Sequence, residues 1–170
     1  SYLGIPDAGI ATYTEMLNRV AKVCEKSGAP GIADADTGFG GLLNVPHTVR
    51  GYEAAGVSAI QIEDQEFPKK CGHTPYRRVI PMEDMVAKVK VAVDARKSRD
   101  FLVIARTDAR GGLGFDEAVR RGIAYAEGHY SDAQRLLLQG LGRAPANVGG
   151  RKLYAASLLK QAKSHATSRL

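Results

Sequence analysis

The stretch ADADTGFGG (33–41) sets two carboxylates, Asp34 and Asp36, on alternate positions behind a short apolar run, with glycines at 38, 40 and 41. On an extended backbone alternate side chains share a face, so both acids are expected to look the same way. The glycines let main chain approach whatever the acids hold. One apolar run later, SAIQIED (58–64) ends in Glu63 and Asp64. Asp34, Asp36 and Glu63 together form an oxygen-only donor set, which suits Mg²⁺ held by one or two carboxylates plus water and substrate, with Mn²⁺ as the substitute. Zinc would recruit Cys or His more directly. D-A-D alone is a weak signal, and the later acids strengthen it.

A second group of a different kind lies in PKKCGH (68–73). A cysteine kept for packing belongs among aliphatic residues, where it is inert. Cys71 stands instead between two lysines and a Gly-His pair. Lys69, Lys70, Gly72 and His73 give the thiol basic, flexible surroundings that packing alone does not call for. A third polar end is supplied by FLVIARTD (101–108), which closes on Arg106 and Asp108.

These groups need elements to carry them. Thr12 to Glu15 has the T-x-x-E spacing of a capping box, and Met16, Leu17, Val20 and Cys24 follow at helical spacing up to Gly28. Cys24 lies on that stripe and reads as core. A second helix is expected over 47–55, a third over 82–97 with Met85, Val86, Val89 and Val93 on one face, and a fourth over 115–127. Strands are expected at IADAD, SAIQIED and FLVIARTD. Helices alternating with strands imply a parallel sheet with helical crossovers, and in such folds the C-terminal strand ends carry the active site. Acids there can also cap the following helix. Three polar strand ends in series favour an enzyme.

Composition narrows the classes. The 170 residues carry a net charge of +6, yet residues 1–127 balance 17 basic against 17 acidic side chains, and the excess lies wholly in residues 128–170. That distribution argues against a nucleic-acid partner, as does a tail whose last forty residues hold one aromatic, Tyr154. No run approaches the roughly 18 apolar residues of a membrane span. SYLGIPDAGI does not read as a signal peptide, and two cysteines make no disulfide framework, so an intracellular, reducing setting is expected. The last three residues, Ser168-Arg169-Leu170, resemble a peroxisomal import tripeptide, which adds an organelle to the cytoplasm as an expected location.

DADTGFGG, NVPHTVRGYEAAGVSAIQIEDQ, PKKCGH and IARTDA together resemble the isocitrate lyase and phosphoenolpyruvate mutase superfamily, over about Tyr2 to Glu127. PKKCGH is similar to the signature of its lyase branch. The overall tone is closest to the 2-methylisocitrate lyases. The resemblance implies an α/β fold of the (β/α)₈ TIM-barrel family and a Mg²⁺-dependent carbon–carbon lyase acting on a small di- or tricarboxylate, giving succinate plus pyruvate or glyoxylate. It implies Asp34 as the direct metal ligand, with Asp36 and Glu63 holding coordinated waters. Cys71 would be the acid that protonates the carbanion, its thiol kept at a useful pKa by Lys69, Lys70 and His73 in a loop that glycine leaves free to close. Gly72 and His73 would shape its loop and the substrate's carboxylate site, and Arg106 would contact a substrate carboxylate. Asp7, in GIPD, would lie near the substrate, and Asn44 would be structural.

A full barrel takes roughly 250 residues, and only three strands are legible here. The chain is therefore read as a partial barrel over 1–127 and a divergent, basic, helical tail over 128–170, with a homo-oligomer as one way to cover the open edge. Three alternatives stay open. They are oxaloacetate hydrolysis or decarboxylation, phosphonate rearrangement, and an inactive family fragment that binds partners.

Overall fold

The computed structural model describes residues 3–127. The expected tail helices and Ser168-Arg169-Leu170 lie outside the described residues. Helix α1 (Tyr13–Ser27) opens on the capping box, Thr12 and Glu15 each satisfying the other's backbone N–H, and stops at Gly28 with φ 61°. That left-handed angle is the one glycine adopts without penalty. Strand β1 (Ile32–Asp34), helix α2 (Asn44–Ala54), strand β2 (Ala59–Glu63), helix α3 (Met82–Ala95) and strand β3 (Leu102–Arg106) follow. A short helix α4 (Arg110–Leu113) and α5 (Phe115–Glu127) complete the order. Among the described residues α4 is the one element that the sequence pattern did not suggest. Four residues carry no readable period.

The three strands form one parallel sheet in sequence order, with Ile32, Ala59 and Leu102 abreast at one end and Glu63 beside Arg106 at the other. One face of the sheet (Ala33, Ile60, Ile62 and Val103) packs with Val45, Val49 and Tyr52 of α2 and with Met85, Val89 and Ala92 of α3 in a single core. Met16, Leu17, Val20 and Cys24 of α1 pack against that core from outside. On the opposite face Ile32 and Leu102 are exposed. The covered face holds the strands parallel, so all their C-terminal ends deliver polar residues to the same rim. No helix among the described residues is long and apolar enough to cross a membrane.

Candidate active site

At the rim β1 stops at Asp34, and the chain turns rather than continuing extended. Asp36 has φ 53°, and its N–H donates to Asp34 Oδ1 at 2.8 Å. The expected alternation of Asp34 and Asp36 along one strand therefore does not hold. An aspartate accepting the N–H two residues on forms a turn, and the turn aims Asp36. The loop that follows is tight. An added Cβ at Gly38 would lie 2.7 Å from Val45, so close approach requires glycine there. Asn44, at the start of α2, accepts the Gly41 N–H at 3.1 Å, the structural part expected of it.

Lys69 is the largest departure from the sequence reading. It was expected to serve the Cys71 thiol. Instead its side chain is 6% exposed, with the ammonium 2.8 Å from Asp7, 3.3 Å from Asp36 and 3.7 Å from Glu63. Burial works against the charged amine, but the hydrogen bond to Asp7 and the charges of Asp36 and Glu63 outweigh it, and its pKa is raised. That hydrogen bond in turn lowers the Asp7 carboxyl. Burial raises the Asp36 carboxyl and pushes Glu63 up to about 7, against the pull of Lys69 and Arg106. A buried lysine among three acids has no periodic signature, so its place among them was not legible in the sequence.

Glu63 is fixed from three sides. Besides Lys69, Arg106 Nη1 pairs with it at 3.1 Å and Gln65 Nε2 donates to it at 2.9 Å. Gln65 also grips the loop: its Nε2 donates to Lys70 O at 2.9 Å and its Oε1 accepts the Lys70 N–H at 3.0 Å. Cys71 comes next along the chain. Its Sγ lies 3.7 Å from His73 Nδ1, and the thiol is one of the groups that lower the Asp7 carboxyl, after Lys69. Gly72 faces Arg106, whose Nη2 would lie 2.8 Å from a Cβ at that position. The structure thus gathers Asp7, Asp36, Glu63, Cys71, Gly72, His73 and Arg106 around one place, with Asp34 on the cavity of about 300 Å³ that Asp7, Asp36 and Lys69 also line.

Asp64 is not part of it. Fully buried, it accepts from Tyr125 OH at 2.6 Å, Thr107 Oγ1 at 2.7 Å, the Asp108 N–H at 2.9 Å and Arg121 Nη1 at 3.3 Å. Successive strand residues point to opposite faces, so Glu63 serves the rim while Asp64 braces what lies behind it.

Among the described residues no three carboxylate, imidazole or thiol groups converge closely enough to hold an ion in direct contact. The donors nevertheless fit a hard divalent cation. Asp36 and Glu63 already gather around a cation, the Lys69 ammonium, and Asp34 lines the same cavity. One direct carboxylate with the others acting through water is the arrangement this spacing admits.

Residues 1–133 match the family model described as phosphoenolpyruvate phosphomutase. The chain belongs to the phosphoenolpyruvate mutase/isocitrate lyase superfamily. It is 56% identical to 2,3-dimethylmalate lyase of Eubacterium barkeri over 75% of this chain and 44% of that protein. It is 50% identical to 2-methylisocitrate lyase of Aeropyrum pernix over 74% of this chain and 40% of that protein. The chain thus spans less than half the length of these curated relatives. Among solved structures it is similar to a 2,3-dimethylmalate lyase (TM-score 0.72, 37% identity, 75% of this chain and 44% of that one). An oxaloacetate acetylhydrolase with 3,3-difluorooxalacetate gives the same TM-score of 0.72, at 32% identity, over 81% of this chain and 51% of that one. A phosphonopyruvate hydrolase with oxalate and Mg²⁺ gives 0.67, at 43% identity, over 75% of this chain and 44% of that one. Members of the superfamily have the TIM-barrel fold, and β1–β3 are a parallel part of such a barrel.

Proposed function

We propose that this site serves a carbon–carbon lyase acting on a branched 2-hydroxy acid of the 2-methylisocitrate or 2,3-dimethylmalate class, with Mg²⁺ or Mn²⁺. The observation that carries the reading is the Cys71 thiol, 3.7 Å from His73, in the loop seated beside Glu63 and Arg106. Cleavage passes the electrons of the C2–C3 bond to C3 as the 2-hydroxyl gives up its proton to water and C2 becomes a carbonyl. A proton must then be delivered to C3. In this reading Cys71 delivers it, with His73 holding the thiol in position. Arg106 presents a guanidinium for a substrate carboxylate, with its own position fixed by Glu63 and Asp108. Asp34 would hold the ion directly, with Asp36 and Glu63 on its waters. The bound ion supplies Lewis-acid stabilisation of the oxyanion.

The test is release of pyruvate from 2-methylisocitrate and from 2,3-dimethylmalate, with and without Mg²⁺, by the purified chain and its Cys71→Ser variant. Pyruvate formation that needs the ion and falls at least about a hundredfold in the variant supports the reading. An undiminished rate in Cys71→Ser removes the acid role. The similarity to oxaloacetate acetylhydrolase favours one second reading, hydrolysis of oxaloacetate. Oxalate production with both hydroxy acids untouched would decide for it.

A further inference from the structure

We propose that Asp108 and Arg77 are positioning residues that hold the Cys71 loop against Arg106. The inference rests on the proton-delivery reading of Cys71, and it concerns what keeps that thiol in place. Asp108 lies just past the end of β3, 7% exposed, with its N–H bound to Asp64. Its Oδ1 is shared: Arg106 Nη2 donates to it at 3.0 Å, and Arg77 Nε approaches from the other side at 3.5 Å. Arg77 in turn closes the loop on itself, because Nη1 donates to the carbonyls of both Gly72 and Thr74, the latter at 2.7 Å. One buried carboxylate therefore ties the substrate-facing guanidinium to the turn that follows Cys71.

Three further observations mark the pair as built rather than incidental. Arg77 Nε and Asp108 Oδ2 are, among the described residues, the buried side-chain polar atoms without a hydrogen bond, and they belong to this one pair. Such atoms are costly to leave unmatched, so their retention calls for a reason. The wall behind Arg77 is made of glycine: a Cβ at Gly111 would lie 3.0 Å from its Nη2, and one at Gly112 3.1 Å from its carbonyl oxygen. The neighbouring Arg78 instead pairs with Glu66 at 2.9 Å on an exposed surface, so loop charge alone does not create the contact.

The experiment measures alkylation rates of Cys71 and Cys24 by a pulse of iodoacetamide and peptide mass spectrometry, on the whole chain without metal or substrate. Arg77→Gln and Asp108→Asn are each expected to expose the loop and label Cys71 about tenfold faster, with Cys24 unchanged. Arg77→Lys, which keeps a cation for the two carbonyls, should fall between, and Arg78→Gln should match the unaltered chain. The two main variants change charge in opposite directions, so a purely electrostatic effect on the thiol would move their rates apart. An unchanged or slower Cys71 in both overturns the proposal, as does a rise at Cys24 in step with Cys71, which would report general loosening. Labelling does not depend on turnover. Selective exposure in a chain that cleaves nothing would keep this inference and remove the lyase reading.

Discussion

The Lys69 ammonium lies 3.7 Å from Glu63 Oε1, with both side chains withdrawn from solvent. Asp7 and Asp36 complete the charge around it. Removing one member of such a group leaves the others buried and uncompensated, which typically costs about 3–5 kcal/mol. Lys69→Met is therefore expected to be destabilised by about 3 kcal/mol at neutral pH, read from urea unfolding, and Glu63→Gln in the same chain should restore part of the loss. Equal stability of Lys69→Met and the unaltered chain would mean that water screens the cluster.

Glu63 gives a pH dependence of definite sign. Its carboxyl titrates near 7 in the fold, against an ordinary 4.5. Between those values the unfolded chain releases the proton while the folded chain keeps it, so the unfolded state binds fewer protons and stability falls as pH rises. Its contribution is full below about 4.5 and lost by about 7. Unfolding free energies in EDTA should show this downward slope, and Glu63→Gln should flatten it. A slope that survives the substitution assigns the effect to another group.

Gly72→Ala is expected to spare the fold and damage the site. The added Cβ meets only the tip of Arg106, at 2.8 Å, which can swing aside. Swinging aside takes the guanidinium from Glu63 and Asp108. Turnover should drop by about tenfold or more, while the melting temperature moves by no more than about 2 °C. A large fall in melting temperature would place the defect in the backbone instead.

Cation binding offers a further check. Calorimetric titration with Mn²⁺ should give saturable binding that Asp34→Ala weakens at least about tenfold. Asp64→Asn should leave binding measurable but lower stability by about 2–4 kcal/mol, because four donors lose their acceptor charge. Unaltered affinity in Asp34→Ala would move the direct ligand elsewhere on the rim.

The contrast between these residues shows what a sequence can carry. The capping box, the Gly28 stop and the three apolar runs with polar ends are local rules. The helix signals appear where their spacing put them, with α5 running Phe115–Glu127, while β1 stops at Asp34, short of the Asp36 that IADAD implied. What distance along the chain hides was not legible. Lys69 crosses from its loop to Asp7, and Arg121 reaches Asp64 from 57 residues away. Glu63 and Asp64 look alike as neighbouring strand-end acids, both buried, and only the packing of the covered face tells the site-facing role from the bracing one. Asp36 misled for a different reason: its own neighbour's carboxylate bent the backbone that the alternation assumed straight.

The bracing of Asp64 has a consequence for anyone rebuilding this scaffold. Thr107, Asp108, Arg121 and Tyr125 all draw on one carboxylate, so the ends of β2 and β3 and the helix α5 share a single fastening. Position 63, one step along the chain, is tied instead to the site, through Lys69, Gln65 and Arg106. A protein engineer seeking new reactivity here has to exchange 63, 69 and 106 together, as one tool-holder mounted on a bolt at 64 that has to stay.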